Sequence, residues 1–145
     1  MSEKKASTLK ATAVAGTATV TVSSAQLLSL PSTPVTIVAA PGADTYNIIT
    51  SVAAKYNFGT TAYTVSGASP LTLKRAGVQC FDDLSVMITS ASNMVDISQS
   101  ANNVYGAPAT YANAPIVLTC PNTGTISGGD GTLTIVVNYV TFALP

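Results

Sequence analysis

An all-β fold, a single-domain antiparallel β-sandwich of jelly-roll-like type with about seven to nine strands, is what this sequence predicts. Three observations carry that expectation. The 145-residue chain is 47% hydrophobic yet only 8% charged, and it contains no histidine and no tryptophan. Short runs rich in Val, Ile and Thr recur between Gly, Pro, Asn and Ser clusters, the punctuation of strands and turns. Finally, the glycine turn Gly128-Gly129-Asp130-Gly131 feeds a closing β-rich run from Leu133 to Phe142.

The elements follow in order. Residues 1–10 are polar and hold Lys4, Lys5 and Lys10, half of the six basic residues; they read as an arm preceding a domain over residues 11–145. Thr17 to Val22 alternates with period two, the mark of a half-buried strand. Ser24 to Leu30 is a helical turn or a loop, punctuated by Pro31 and Pro34. Val35 to Ala40 is the next strand, closed by the turn Pro41-Gly42-Ala43-Asp44. Tyr46 to Phe58 spaces Ile48, Ile49, Val52 and Ala53 in a way compatible with a helix. Its turn-rich flanks favour a strand, with a bulge expected at Ala53-Ala54. Shorter strands are expected at Ala62–Val65, Leu71–Lys74, Ser85–Thr89, Met94–Ser98 and Pro115–Cys120. The polar stretch Gln99–Ala114 is long for a plain connection and reads as an exposed loop. In the last strand, Leu133, Ile135, Val137 and Tyr139 share one face, and Thr134, Val136, Asn138, Val140 and Phe142 the other. Both faces are largely apolar. Such a strand sits in the middle of a sandwich, or another subunit covers its outer side.

Composition bears on function mainly by exclusion. Without histidine there is no Ser-His-Asp triad and no Cys-His pair. Two cysteines forty residues apart, Cys80 and Cys120, make no zinc site. In a cytoplasmic setting they read as buried free thiols; a disulfide between them stays open at this point. No phosphate-binding loop and no dinucleotide fingerprint occurs. Asp82-Asp83 reads as a solvated turn, because neighbours along a strand point to opposite faces. Asp44 and Asp130 read as Asx-turn residues, each turn offering one carboxylate where calcium needs several oxygens. Lys74-Arg75 reads as a solvated loop edge. The expectation is therefore no enzyme, no cofactor and no metal. Three lysines without interleaved aromatics make no nucleic-acid patch, and no run is long and apolar enough for a membrane span. Met1-Ser2-Glu3-Lys4-Lys5 leads into no apolar signal region, so synthesis and folding are expected in a cytoplasm.

A resemblance adds to this reading. Its segments are Pro34-Val35-Thr36-Ile37-Val38 running into Ala39-Ala40-Pro41-Gly42-Ala43, and Val52 to Phe58 followed by Gly59-Thr60-Thr61-Ala62-Tyr63. Tyr111-Ala112-Asn113-Ala114-Pro115-Ile116-Val117-Leu118 comes next, and Gly129-Asp130-Gly131-Thr132-Leu133-Thr134-Ile135 with Val137-Asn138-Tyr139 ends the series. In that order they resemble small β-sandwich proteins of tailed-bacteriophage virions, the capsid decoration and head-fibre kind. The resemblance implies a non-enzymatic protein on the virion surface, made in the host cytoplasm. It implies the major capsid protein and further copies of itself, as a homotrimer, for partners. The first 30 residues fall outside the resemblance, so two further expectations come from the residues themselves: Lys4, Lys5 and Lys10 dock the arm on capsid subunits, and Val136, Val140 and Phe142 serve the subunit interface. The alternative is a head- or tail-fibre tip that binds a cell-surface glycan through Tyr105 and Tyr111.

Overall fold

The computed structural model describes residues 13–67, 70–81, 83–98, 108–121 and 123–143. The chain builds ten strands and three short helices among these residues. In chain order they are β1 (Ala13–Val22), α1 (Ser24–Ser29), β2 (Val35–Val38), β3 (Thr45–Asn57), β4 (Tyr63–Ser66), β5 (Thr72–Arg75) and β6 (Val78–Gln79). Then come α2 (Ser85–Ile88), β7 (Met94–Ser98), α3 (Pro108–Tyr111), β8 (Ile116–Thr119), β9 (Thr125–Gly128) and β10 (Thr132–Ala143).

Two four-stranded sheets have the orders β1-β10-β3-β7 and β2-β8-β5-β6, and β4 pairs with β9 as a separate ribbon. Every pairing is antiparallel. With the β4–β9 ribbon set aside, the eight remaining strands run first-eighth-third-sixth in one sheet and second-seventh-fourth-fifth in the other. That order is a jelly roll, and the ribbon is an addition to it.

The core lies between the sheets. From the first come Val22, Ile49, Val52, Ala54, Tyr56, Leu133, Ile135 and Val137; from the second, Ile37, Val38, Leu73, Ile116 and Leu118. Burial in β10 alternates from Leu133 to Val137, with Leu133, Ile135 and Val137 at 0% exposure and Thr134 and Val136 half-buried. The period-two pattern in the sequence is this alternation.

Local chemistry sets the element ends. Ser23 caps α1: its Oγ accepts from Gln26 N at 3.3 Å, and Gln26 Oε1 accepts from Ser23 N at 3.0 Å. This is a capping box, which satisfies two otherwise orphaned donors. Residues 85–89 form the helical turn α2 and not the strand expected. Asp83 is the cause: Oδ1 accepts from Ser85 N and from Leu71 N, both at 2.8 Å, and Oδ2 accepts from Ser85 Oγ at 2.8 Å. A carboxylate holding the first N–H of the turn favours helix over extended chain, and its bond to Leu71 N fixes it in place. The bulge in β3 also lies elsewhere than at Ala53-Ala54, which pair regularly with Val136 and Ile135. The register slips between Asn138 and Tyr139, which face Ser51 and Ile49, so Thr50 is the extra residue.

Cys80 and Cys120 are buried and are not joined in a disulfide. Cys80 N donates to Leu73 O at 2.9 Å, and Cys120 follows β8 on the other side of β5. With β5 between them, and with Cys80 opposite Leu73 but Cys120 opposite Leu71, the two residues stand more than two strand spacings, over ~9.6 Å, apart. A disulfide needs its Cα atoms within about 7 Å, so none forms. Burial pushes the Cys80 thiol up to about 11 from 9.0. Such a group stabilises the fold below pH 9 and loses that contribution as pH rises through the folded value. Two expectations follow. Ellman's reagent labels neither thiol in the native protein at pH 8 but both in denaturant without reductant. The stability of Cys80→Ala falls less steeply than that of the parent between pH 9 and 11. Rapid native labelling at Cys80 would contradict its burial.

Candidate interaction face

The first sheet has an outer side that no described element covers. Pairing registers place its residues in rows across the strands. The middle row is Thr17, Asn138 and Ser51. Thr17 Oγ1 donates to Asn138 Oδ1 at 2.7 Å, and Asn138 Nδ2 donates to Ser51 Oγ at 2.9 Å. The bulge residue Thr50 joins it, its Oγ1 donating to Asn138 O at 3.1 Å.

Apolar rows flank this polar row on both sides. One is Thr19, Val136, Ala53 and Ile97; the other is Ala15, Val140 and Ile48. Ile97 is 72% exposed and Ile48 47% exposed. Beyond the first lies Thr21, Thr134, Lys55 and Val95, where Thr21 and Thr134 hydroxyls bond at 3.0 Å. Beyond the second lies Ala13, Phe142 and Tyr46. Val136, Val140 and Phe142, the residues expected at an interface, therefore share one side of one sheet and are half-buried there. The sequence alone did not bring in Ile48, Val95 and Ile97, because their face depends on register with β10 and on the Thr50 bulge. Among the described residues, Lys55 is the one charged side chain on this side.

The other residues singled out by the sequence stand apart from this face. Lys4, Lys5, Lys10 and Tyr105 lie outside the described residues. Tyr111 is buried, 8% exposed, and the Arg75 guanidinium sits over its ring at 5.0 Å. It packs within the fold and does not offer the exposed platform that the glycan-binding alternative needs. Arg75 in turn is half-buried instead of a solvated loop edge, and its Nη1 donates to Asn47 O of the opposite sheet. Arg75 thus ties the two sheets together at one end, and a cation stacked on an aromatic face gains from the ring's quadrupole.

The glycine turn before β10 is a structural clamp. Asp130 Oδ1 accepts from Thr60 N at 2.8 Å and Thr61 N at 2.9 Å, and Oδ2 accepts from Thr60 Oγ1 at 2.6 Å. A Cβ on Gly59 would fall 2.6 Å from the Asp130 Cγ, so only glycine admits the carboxylate. Hydrogen bonds from Thr60 and Thr61 hold the Asp130 carboxyl below its ordinary 3.8. A carboxylate with a lowered folded value stabilises above the unfolded value and loses that as pH falls through the folded one. Asp130→Asn is accordingly expected to lower the melting temperature at pH 7, and its difference from wild type is expected to shrink as pH falls below 3.8. An equal deficit on both sides of that pH would refute the clamp's charge dependence.

Among the described residues, no group of three His, Cys, Asp or Glu could hold a metal ion. No helix among them is long and apolar enough to cross a membrane. A shallow cleft bordered by Val65, Pro70, Asp83 and Val86 has its carboxylate engaged by Leu71 and Ser85.

Fold and face together define a jelly-roll sandwich with one bare, nearly uncharged sheet side. No family model matches the sequence, and no curated protein matches it. Among solved structures, a chain of the cyanophage Pam1 capsid asymmetric unit is similar, with a TM-score of 0.45 and 16% identity, covering 93% of this chain and 86% of that one. At that level of similarity the role of this chain rests on its own residues.

Proposed function

We propose that this protein is a non-enzymatic structural subunit of a bacteriophage virion, which decorates or cements the capsid through protein–protein contacts. The observation that carries the reading is the outer side of β1-β10-β3-β7. Its apolar rows are open to solvent, while the polar side chains of its middle row, Thr17, Asn138 and Ser51, already hydrogen-bond one another. Polar groups so satisfied lose little when water is excluded, so the face is suited to burial by protein. The order of the segments between Pro34 and Tyr139 supports the virion setting.

The mechanism is passive. A subunit that binds only the assembled shell stabilises that shell by mass action, in proportion to the logarithm of its concentration over its Kd. The lysines of residues 1–10 dock the protein on neighbouring capsid subunits, and apolar area buried between its own subunits links them on the shell.

The test is co-sedimentation with capsids of the source phage stripped of this protein. Full-length protein is expected to pellet at a fixed copy number per shell and to raise the temperature at which the shell breaks open. Protein lacking residues 1–10 is expected to keep its fold, since the described β1 begins at Ala13, and to bind more weakly. Protein left in the supernatant at saturating concentration would end the proposal.

A further inference from the structure

We infer that the outer side of the β1-β10-β3-β7 sheet is the docking site for a second copy of this chain, packed face to face as a twofold dimer. This deepens the structural-subunit reading and rests on it. Three features of the face select this occupant.

The first is the row pattern. A polar row, Thr17-Asn138-Ser51, is flanked by the apolar rows of Val136 and Val140. Two copies facing each other are related by an axis lying in the contact plane. If that axis runs along the strands, each row meets its own equivalent. If it runs along the Asn138 row, the Val136 row meets the Val140 row and the polar row meets itself. Either way apolar rows cover apolar rows and the Asn138 ladder covers the Asn138 ladder. The face is self-complementary, as an isologous contact requires. A threefold ring would need two different patches meeting head to tail, and this face is a single symmetric patch.

Area is the second. At ~4.8 Å between strands and ~3.3 Å per residue, the sheet side measures roughly 500–600 Å² per copy. A pair buries about 1,100 Å², enough to clear the ~1,000 Å² that a specific interface needs. Two flat sheets also pack well at ~10 Å separation, whereas a helix seeks a groove.

Charge is the third. The whole chain has a formal net charge of zero, so two copies do not repel. Among the described residues, Lys55 is the one cation on the face, next to the edge strand β7. Under the first axis it meets the Thr134 side, under the second the Tyr46 side, and in neither does it meet its own copy. Its flexible stem can carry the ammonium to the rim. A face with so little charge is a poor match for nucleic acid or for a strongly charged protein surface.

The experiment is sedimentation equilibrium of the full chain up to about 200 µM, a range that detects even a weak dimer. Wild type is expected at twice the 14.6 kDa chain mass. Ile97→Glu and Thr19→Glu both place a charge in the Val136 row at exposed positions. Each is expected to weaken the dimer at least ~100-fold, because a buried unpaired charge is costly. Val86→Glu, 68% exposed on α2 and off this face, is expected to stay dimeric. Circular dichroism confirms that each variant folds. A monomeric or trimeric wild type, or dimers that persist in both row variants, would overturn the inference. Capsid co-sedimentation is read separately: dimers that ignore capsids refute the virion role alone, and monomers that bind capsids refute this inference alone.

Discussion

Gly129→Ala is expected to destabilise the protein by about 2–5 kcal/mol, which takes a marginally stable domain close to unfolding. Two costs combine there. Gly129 has φ +75, a left-handed conformation that an L side chain enters at a penalty. A Cβ at this position would also fall within the Tyr63 ring. That ring has no room to yield. Tyr63 is 2% exposed, its Oη donates to Gly131 O at 2.7 Å, and it lies 6.3 Å from the Tyr56 ring. Burial has pushed its phenol up to about 12. Gly77→Ala separates the two costs. Gly77 has φ +79 with nothing within 4 Å of its would-be Cβ, so only the backbone penalty of about 1 kcal/mol applies. Urea unfolding of the two variants reads the difference directly. Equal losses would mean that Tyr63 moves aside and that the glycine turn is less rigid than described.

Ile135→Ala and Val136→Ala are neighbours on β10 and should differ sharply. Ile135 is fully buried between the sheets, and its truncation leaves a cavity costing about 3 kcal/mol. For a chain of this size that is a fall in melting temperature of roughly 6–12 °C. Val136 points to the opposite, uncovered side and is half-buried. Its truncation should cost about 1 kcal/mol or less in dilute solution. Thermal scans at two concentrations check both values. In the dimer described above, the Val136→Ala deficit grows with concentration and the Ile135→Ala deficit does not. Similar losses for both residues would contradict the inside-outside alternation of the strand.

How much of this was legible in the sequence varies by element. β10 and β3 were legible because each is long and rich in β-branched residues, and their flanking turns outweighed the helix-like spacing of Ile48, Ile49 and Val52. α2 was not. Ser-Val-Met-Ile is too short and too β-branched for periodicity to decide, and the deciding contact is a side chain outside it, Asp83. A capping residue two positions upstream was the available signal. β6 and β9, of two and four residues, carry almost no pattern of their own and exist because β5 and β4 offer them partners. The bulge was expected from small residues at Ala53-Ala54, yet it sits at Thr50, where the hydroxyl donates to Asn138 O. The candidate face was half legible. Val136, Val140 and Phe142 follow from alternation within one strand, whereas Ile48, Val95 and Ile97 join them only through cross-strand register. The burial of Tyr111 was not legible, because composition marks a loop as polar without showing that Arg75 closes over its ring.

The position of β10 has a consequence for how the protein comes into being. It lies between β1 and β3, and Thr17 bonds Asn138 across 121 residues of chain. While the chain is being made, β1 and β3 have no neighbour to join them. The sheet can close only after residues 132–143 have left the ribosome. Domains dominated by such distant pairings fold on a scale of milliseconds to seconds. During that interval the free edges of β1 and β3 invite pairing with other nascent chains. The yield of folded protein should therefore depend on synthesis rate and chaperone supply more than on the stability finally reached.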